Sequence, residues 1–328
     1  MAASTQPLVS VVTPVHNGGP WLEECIRSVR AQSYPYFEYL IVNNGSTDRS
    51  LEIARSHAAE DERIRVLDNE TFLGALQNFN HSMRQISAES RYCKVVHADD
   101  WLYPECLEKM VALAETHPRV GIVSSYRLVG SRVAGDGLPP GVAVLPGGEV
   151  ARMNLLDGPY TFGTPSALLI RSDLIRARSN FYNELHSGAD TEACLELLRE
   201  CDFGFVHQVL SFCRLHEAAI TGRQRLLGTG HPNFLYAFKK YGPYFLGEEE
   251  YRQRLHKLLR SYYRFLGSQL LHRPGSKFWD FHRQGFRNLG GTLEWPQVLL
   301  GAVRHLTGAA AAAPWRIKAL VARGELEE

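Results

Sequence analysis

The chain predicts an α/β fold: a Rossmann-like, mainly parallel sheet flanked by helices over residues 1–220, then a helical extension over 221–328. Three observations point there. Short β-branched runs alternate with helically spaced apolar residues from residue 8 onward, a pattern that calls for parallel strands joined by helices. The chain has 328 residues, 45% hydrophobic and 22% charged, enough for a substantial core. Its charge is also divided: of 36 Lys/Arg and 35 Asp/Glu, residues 221–328 hold 17 and 8, so a basic C-terminal third of +9 follows an acidic part of −8.

Taken in order, LVSVVTP (8–14) is a strand ended by proline. WLEECIRSVRAQ (21–32) is a helix whose Leu22, Cys25, Ile26 and Val29 share a face. FEYLIVNN (37–44) is the second strand, Ser46 or Thr47 is suited to cap the helix opening at TDRSLEIARSHA, and RIRVLDN (63–69) is the third strand. LGALQNFNHSMRQI then sets Leu76, Phe79, Met83 and Ile86 on one helical face before a fourth strand, YCKVV (92–96). The helix WLYPECLEKMVALAE comes next, with Asp100 placed to cap it. Residues 130–148, rich in Gly and Pro, read as a long mobile loop over the site.

After residue 220 the character changes. EEEYRQRLHKLLRSYYRFLGSQLLHR aligns Tyr251, Leu255, Leu258, Tyr262, Phe265 and Leu266, and its acids at the start and bases at the end, through His272 and Arg273, suit a helix dipole. The alanine tract GAAAAAP (308–314) carries no reading, and no internal repeat is present.

Six cysteines without a CxxC pair indicate small core residues in a reducing compartment rather than a disulfide framework. The N-terminus lacks a basic, then apolar, secretory pattern, and the best apolar stretch, near 295–315, is broken by Arg304 and His305. The expected location is the cytoplasm, with peripheral contact at the inner face of the membrane.

In such sheets, ligands bind outside the carboxyl ends of the strands. VVHADDWLYP puts Asp99 and Asp100 there, just past the fourth strand. Adjacent carboxylates in a loop cap a helix or hold a hard divalent cation through oxygen. Asp99 has no local capping duty. A cation there would bridge the phosphates of a nucleotide and stabilise a departing diphosphate.

VSVVTPVHNGGPWLEECIRSVRAQSYPYFEYLIVNNGSTDRS, FLGALQNFNHSM and HADDWLYPECLEKM, in that order and spacing, resemble the inverting glycosyltransferases of family 2, which have the GT-A fold; the resemblance runs over about residues 8–220. It implies that the turn Pro14, Val15, His16, Asn17 holds the nucleotide base, with His16 in place of the usual tyrosine. Asn44 stands where an acid normally accepts the uracil N3 proton, and its carbonyl can still accept. Gly74 and Asn78 match an LG-x-x-x-N segment that passes beside the nucleotide. HADD matches the family's D-x-D position, so Asp99 is implied to coordinate Mg²⁺ or Mn²⁺ and His97 to occupy the ribose-contacting place of the first acid.

TFGTPSALLIRSDLI (161–175) resembles the family's acceptor-side strand, and SGADTEACLELLREC (187–201) its catalytic helix, where Asp190 is implied as general base on the acceptor hydroxyl and Glu192 is the fallback. FCRLHEAAIT (212–221) supplies His216 as a further ligand to metal or diphosphate, with Arg214 nearby.

The implied function is transfer of a sugar, with inversion, from a nucleotide-diphosphate donor, UDP favoured, to a carbohydrate or lipid-linked acceptor hydroxyl in cell-surface polysaccharide or glycolipid synthesis. The alternative is a non-catalytic nucleotide-sugar-binding or scaffold protein, because Asn43, Asn44, His97 and Ala189 replace acids usual in the family. A nicotinamide-dependent oxidoreductase is disfavoured: VVTPVHNGG stands where G-x-G-x-x-G would follow the first strand. Nucleic acid is not an expected partner. The basic helices are read as a surface for acceptor, anionic membrane or a second copy in a homo-oligomer.

Overall fold

Alternating β-branched residues drive the first strand. In the computed structural model, which describes residues 6–185, 187–216 and 227–307, β1 (Val9–Val15) is buried along its whole length. β2 (Phe37–Asn43) pairs with it in parallel, and β3 (Ile64–Asp68) extends the sheet beyond β2. On the other side of β1, β4 (Tyr92–Val95) also runs parallel. β5 (Trp101–Leu102), β6 (Val120–Val129), β7 (Arg132–Ala134), β8 (Val144–Leu145), β9 (Leu169–Arg171) and β10 (Asp202–Cys213) complete a ten-stranded sheet. Its order is β3-β2-β1-β4-β9-β6-β10-β5, with β7 on β6 and β8 on β10. The longest ladders are parallel, as expected; β9 runs antiparallel between β4 and β6, and β5, β7 and β8 add short antiparallel edges.

The helices α1 (Gly19–Arg30), α2 (Ser50–Glu60), α3 (Ala75–Met83), α4 (Cys106–Thr116), α5 (Gly147–Leu155), α6 (Ser172–Arg176) and α7 (Ala189–Leu197) fill the connections. Val9, Val11 and Val15 join Tyr39, Ile41, the buried face of α1 and Leu107 and Met110 of α4 in one core. Each of Leu22, Ile26 and Val29 is fully buried, worth on the order of 1.5–3 kcal/mol apiece. The exposed Arg27–Glu23 pair, 2.7 Å apart, adds about 0.5 kcal/mol or less. Burial therefore fixes α1 against the sheet.

Several local expectations are corrected. Arg49, not Ser46 or Thr47, is the N-cap of α2; Ser46 Oγ instead accepts the Asn17 N–H and Thr47 N donates to Asn17 Oδ1. Glu105, not Asp100, precedes α4 as its N-cap, because the chain first makes the β5 strand and a proline turn. The buried residues of α3 are Asn78, Asn80, Ser82 and Met83, so its inner face is largely polar, with Leu76 and Phe79 only half-buried. The 130–148 excursion is not one open loop: β7 ties its start to β6 and β8 ties its end to β10. All six cysteines are buried and free, as expected for core residues.

The chain divides into two compact units, Met1–Ala219 and Ile220–Glu328. In the second, α8 (Gly230–Phe245), α9 (Glu248–Leu270) and α10 (Ser276–Asn288) are followed by helical residues 295–307. Tyr262, Tyr263 and Leu266 of α9 pack with Phe278, Phe286 and Val298, and Leu255, Leu258 and Phe265 lie against them. Glu250 accepts the Gly247 N–H at the start of α9. His272 and Arg273 fall beyond the last turn of the helix; His272 Nδ1 nevertheless lies 3.1 Å from the Ser268 carbonyl, serving that end. The alanine tract 308–314 lies outside the described residues. Among those described, no helix is long and apolar enough to cross a membrane.

A methyl added at Gly147 would lie 2.1 Å from the Cys201 carbonyl oxygen and 2.4 Å from that of Leu198. Backbone cannot rotate away, so Gly147→Ala is expected to lower stability by about 3 kcal/mol, a fall of roughly 6–12 °C in Tm; an unchanged melting curve would contradict this packing. In the second unit, burial pushes the His282 imidazole down to about 4 from its ordinary 6.5. The unfolded chain then binds the proton that the folded chain refuses, so stability is full above pH 6.5 and is lost as pH falls toward 4. Urea midpoints across that range should drop in the native chain and drop less in His282→Phe; parallel profiles would refute the assignment.

Candidate active site

Direction decides where the site lies. The two successive antiparallel ladders β4–β9 and β9–β6 restore strand direction, so β6 and β10 end at the same edge of the sheet as β1, β2 and β4. The functional residues expected from sequence come from that edge or a loop leaving it, except Asn78 in α3 and Asp190 and Glu192 in α7.

At the end of β1, Pro14 and Val15 are buried strand members, and Val15 O accepts the Asn44 N–H at 2.8 Å. Only His16 and Asn17 of that turn are exposed. His16 Nδ1 lies 2.9 Å from the Asn44 carbonyl, and its ring meets Phe72 edge-on at 4.9 Å. Asn17 takes φ +52, the left-handed region that asparagine tolerates.

Asn44 is buried and fully engaged. Its Nδ2 donates to Leu73 O at 2.8 Å, while its Oδ1 accepts from Leu73 N at 2.9 Å and from Asn69 Nδ2 at 3.0 Å. Asn69 Nδ2 also reaches Asn78 Oδ1 at 3.0 Å. The loop between β3 and α3 is thus clamped to the end of β2 by side-chain amides. Gly74 opens α3 at φ −59, with its N–H donating to Gln77 Oε1, so no left-handed backbone requires glycine there. Asn69 was not legible as a partner: nothing in RVLDNET announces a long-range amide bridge.

The adjacent aspartates diverge. Asp100 turns inward, 4% exposed, and accepts from Ser166 Oγ at 2.6 Å and from Arg214 N at 3.0 Å. Burial pushes its carboxyl upward and Asp99 adds to that, against His97, the Ser166 hydroxyl and the Arg214 N–H. Asp99 turns outward and accepts from His216 Nε2 at 2.9 Å, while its carbonyl accepts from Arg214 Nε at 3.1 Å. The His216 ring packs on Trp21 at 4.0 Å, leaving its buried Nδ1 without a partner. Ser166 also receives the His97 N–H, and His97 Nδ1 lies 3.5 Å from Asp100 Oδ2.

Ligand atoms of His97, Asp99 and Asp100 lie within 4.8 Å of one another. Two carboxylates and one imidazole fit a divalent cation that takes oxygen and tolerates nitrogen, and the His216 imidazole is joined to them through Asp99. Sequence reasoning missed Ser166, Trp21 and the backbone role of Arg214. Each lies far from Asp99 and Asp100 in the chain, and only the tertiary fold brings it to their neighbourhood.

Asp190 stands in the first turn of α7, half-buried, accepting the Thr191 N–H. Its charge raises the Tyr182 hydroxyl, already lifted mainly by burial. Tyr182 meets Phe79 edge-on, and Phe79 meets His97 the same way, at 5.9 and 5.4 Å. This aromatic chain joins the Asp190 side to the aspartate cluster. Glu192 is 3% exposed and accepts from Asn183 Nδ2 at 3.0 Å, so of the two acids Asp190 is the more open.

The profile of the family described as "Glycosyl transferase family 2" matches residues 10–178. "Glycosyltransferase GlyG" of Streptococcus pneumoniae is 32% identical over 119 residues, which cover 36% of this chain and 39% of that protein. "Putative teichuronic acid biosynthesis glycosyltransferase TuaG" of Bacillus subtilis is 33% identical over 134 residues, covering 41% and 51%. The chain thus spans about half or less of the length of these relatives. Among solved structures, S. aureus TarS 1–349 in complex with UDP superposes with a TM-score of 0.61 at 17% identity, covering 85% of this chain and 79% of that one. Mannosyltransferase PcManGT from Pyrobaculum calidifontis, in complex with GDP-Man and Mn2+, gives 0.56 at 15% identity, covering 92% and 88%. These likenesses identify the fold as the GT-A type. With just over half of its residues inside the matched profile, the chain belongs to glycosyl transferase family 2.

Proposed function

We propose that the protein is an inverting glycosyltransferase that moves a sugar from a nucleotide-diphosphate donor, UDP favoured, to an acceptor hydroxyl in cell-surface polysaccharide or glycolipid synthesis. The observation that carries this reading is the divergence of Asp99 from Asp100, which leaves one oriented carboxylate, with His216 on it, at the ligand-binding edge. The names of relatives such as TuaG, and solved neighbours holding UDP or GDP-Man, support the class of reaction and donor.

Mg²⁺ or Mn²⁺ would be held by Asp99 with His216, and the imidazole at His97 favours Mn²⁺, the more nitrogen-tolerant of the two. When bound, such an ion offsets the charge of the departing diphosphate. The remaining work belongs to side chains. Ser166 and the Arg214 amide hold Asp100 and so fix the turn that aims Asp99. Asp190 accepts the proton of the acceptor hydroxyl as its oxygen bonds to the anomeric carbon, and the bond from that carbon to the diphosphate oxygen breaks on the opposite face. His16 offers its ring to the base. Asn44 already accepts two hydrogen bonds and donates one, so its part is to fix the 69–74 loop beside the nucleotide rather than to read the base directly. The basic, aromatic helices of residues 221–328 are assigned to an acceptor, an anionic membrane surface or a second copy.

Thermal unfolding with UDP-, dTDP- and GDP-sugars should show Mn²⁺-dependent stabilisation by a UDP-sugar, about 2.7 kcal/mol at a hundredfold excess over Kd. Asp99→Ala should abolish it; stabilisation that survives this change would remove the cation from the reading. Asp190→Asn should keep that binding and lose on the order of 100-fold or more in turnover. A scaffold protein would instead bind UDP without metal dependence and show no turnover to lose. Flotation with anionic liposomes at low salt should recover the chain, and its failure to float would discard the membrane assignment.

A further inference from the structure

One cation in the first unit lies in none of these roles. Arg127 of β6 is in register with Ser211 of β10, so the two side chains share a face of the sheet. Arg127 is 9% exposed. Its Nε and Nη1 are buried without a hydrogen-bond partner, and so is Ser211 Oγ. A guanidinium stays charged at any pH at which the chain folds, and a buried charge without a partner is strongly disfavoured. Arginines of this unit that are only partly buried are nevertheless answered: Arg30 by Glu60 and Asp61, Arg178 by Glu200.

Two glycines let the backbone pack close against the group. A Cβ on Gly163, at φ +80, would stand 2.8 Å from Arg127 Nη1, and one on Gly135, at φ +91, would stand 3.4 Å away. Its neighbours lead toward both acids: the Gly163 carbonyl accepts from the Tyr160 hydroxyl at 3.3 Å, that hydroxyl lies 2.9 Å from Thr191 Oγ1 next to Asp190, and Thr164 Oγ1 lies 3.3 Å from Cys213 Sγ, next to the Arg214 N–H that Asp100 accepts. The Tyr160 hydroxyl, raised chiefly by burial and further by Asp190, is eased down by Arg127. The Cys213 thiol, pushed up to about 12 mainly by burial and also by Asp100, is likewise eased down by Arg127. The guanidinium thus lies against the segment that holds Gly163 and Thr164, which hydrogen bonds tie to Thr191 on the Asp190 side and to Cys213 on the Asp100 side.

We infer that Arg127, with Ser211 beside it, is an anion subsite that receives a carboxylate or phosphate oxygen of the acceptor sugar while that sugar's hydroxyl faces Asp190. This rests on the glycosyltransferase reading above and names the substrate class within it. The planar fork of the guanidinium matches a carboxylate or phosphate edge-on, and the neighbouring serine adds a further donor. The diphosphate of the donor would be answered by the cation that Asp99 is proposed to hold, so the anion answered here is assigned to the sugar side of the reaction.

The test uses the full chain, with glucuronate, its neutral amide glucuronamide and inorganic phosphate as probes in thermal unfolding. Glucuronate or phosphate should stabilise the native chain and glucuronamide should not. Arg127→Met should weaken the anion response roughly tenfold or more, as expected for a charge-assisted hydrogen bond, and Arg127→Lys should keep part of it. Because the variant removes an unanswered buried charge, free Arg127→Met should melt at or above the native temperature. A merely structural arginine would give a lower one, overturning the proposal. Equal responses to glucuronate and glucuronamide, or an undiminished anion response in Arg127→Met, would also overturn it. If UDP-glucuronate gains over UDP-glucose only where Arg127 is present, the carboxylate belongs to the donor and the acceptor assignment is wrong. Loss of UDP–Mn²⁺ stabilisation in the native chain would fell the glycosyltransferase reading by itself, with the anion response still deciding the subsite.

Discussion

The site depends on the inward turn of Asp100. Two carboxylates adjacent in sequence repel, and a buried one is costly unless it is hydrogen-bonded. Ser166 Oγ at 2.6 Å and Arg214 N at 3.0 Å supply those bonds from two other elements. With Asp100 turned inward, Asp99 faces the other way and its carboxylate meets His216. The clamp also joins the sheet across its width, since Ser166 precedes β9 and Arg214 follows β10. A local electrostatic conflict thus becomes a device that couples the ligand edge to strand order.

A second constraint works through neutral groups. Where relatives are expected to carry acids after β2, this chain carries Asn43 and Asn44. Asn43 Nδ2 donates to Asp68 at 2.7 Å, and Asn44 closes a two-way bridge with Leu73. A carboxylate could accept the Leu73 N–H but could not donate to its carbonyl. The amide is therefore not simply a weakened acid: it ties the β3–α3 loop down at both backbone atoms, a stiffness that an aspartate at the same place would lack.

This explains what the sequence made legible. The α/β alternation and the placing of the aspartate pair at the carboxyl edge of the sheet were readable because strand and helix periods, and the position of acids after a β-branched run, are local signals. Asp100 as a helix cap was misread for the same reason: Asp before an apolar helical pattern is a local cap signal, and only the distant Ser166 and Arg214 override it. Asn69, Trp21 and Arg127 gave no signal at all. Each acts through a residue from 25 to almost 200 positions away, and an arginine in SSYRLVG reads as an ordinary strand-end cation until its buried, unanswered nitrogens are seen.

The distribution of unanswered polar atoms completes the reasoning. Buried side-chain nitrogens and oxygens in folded proteins are nearly always paired, and among the described residues the unpaired ones are few: Asn43 Oδ1, Arg127 Nε and Nη1, Ser211 Oγ, His216 Nδ1 and His282 Nε2. Those of Asn43, Arg127, Ser211 and His216 belong to the last residues of β2, β6 and β10 or to the segment just after β10, along the one edge where parallel strands end. Only His282 lies in the other unit, where burial keeps it neutral. Packing errors would scatter such atoms through the core. Their collection at one edge means that hydrogen-bonding capacity is held in reserve there, at some expense in stability, which is what the proposed substrate-binding role of this edge requires.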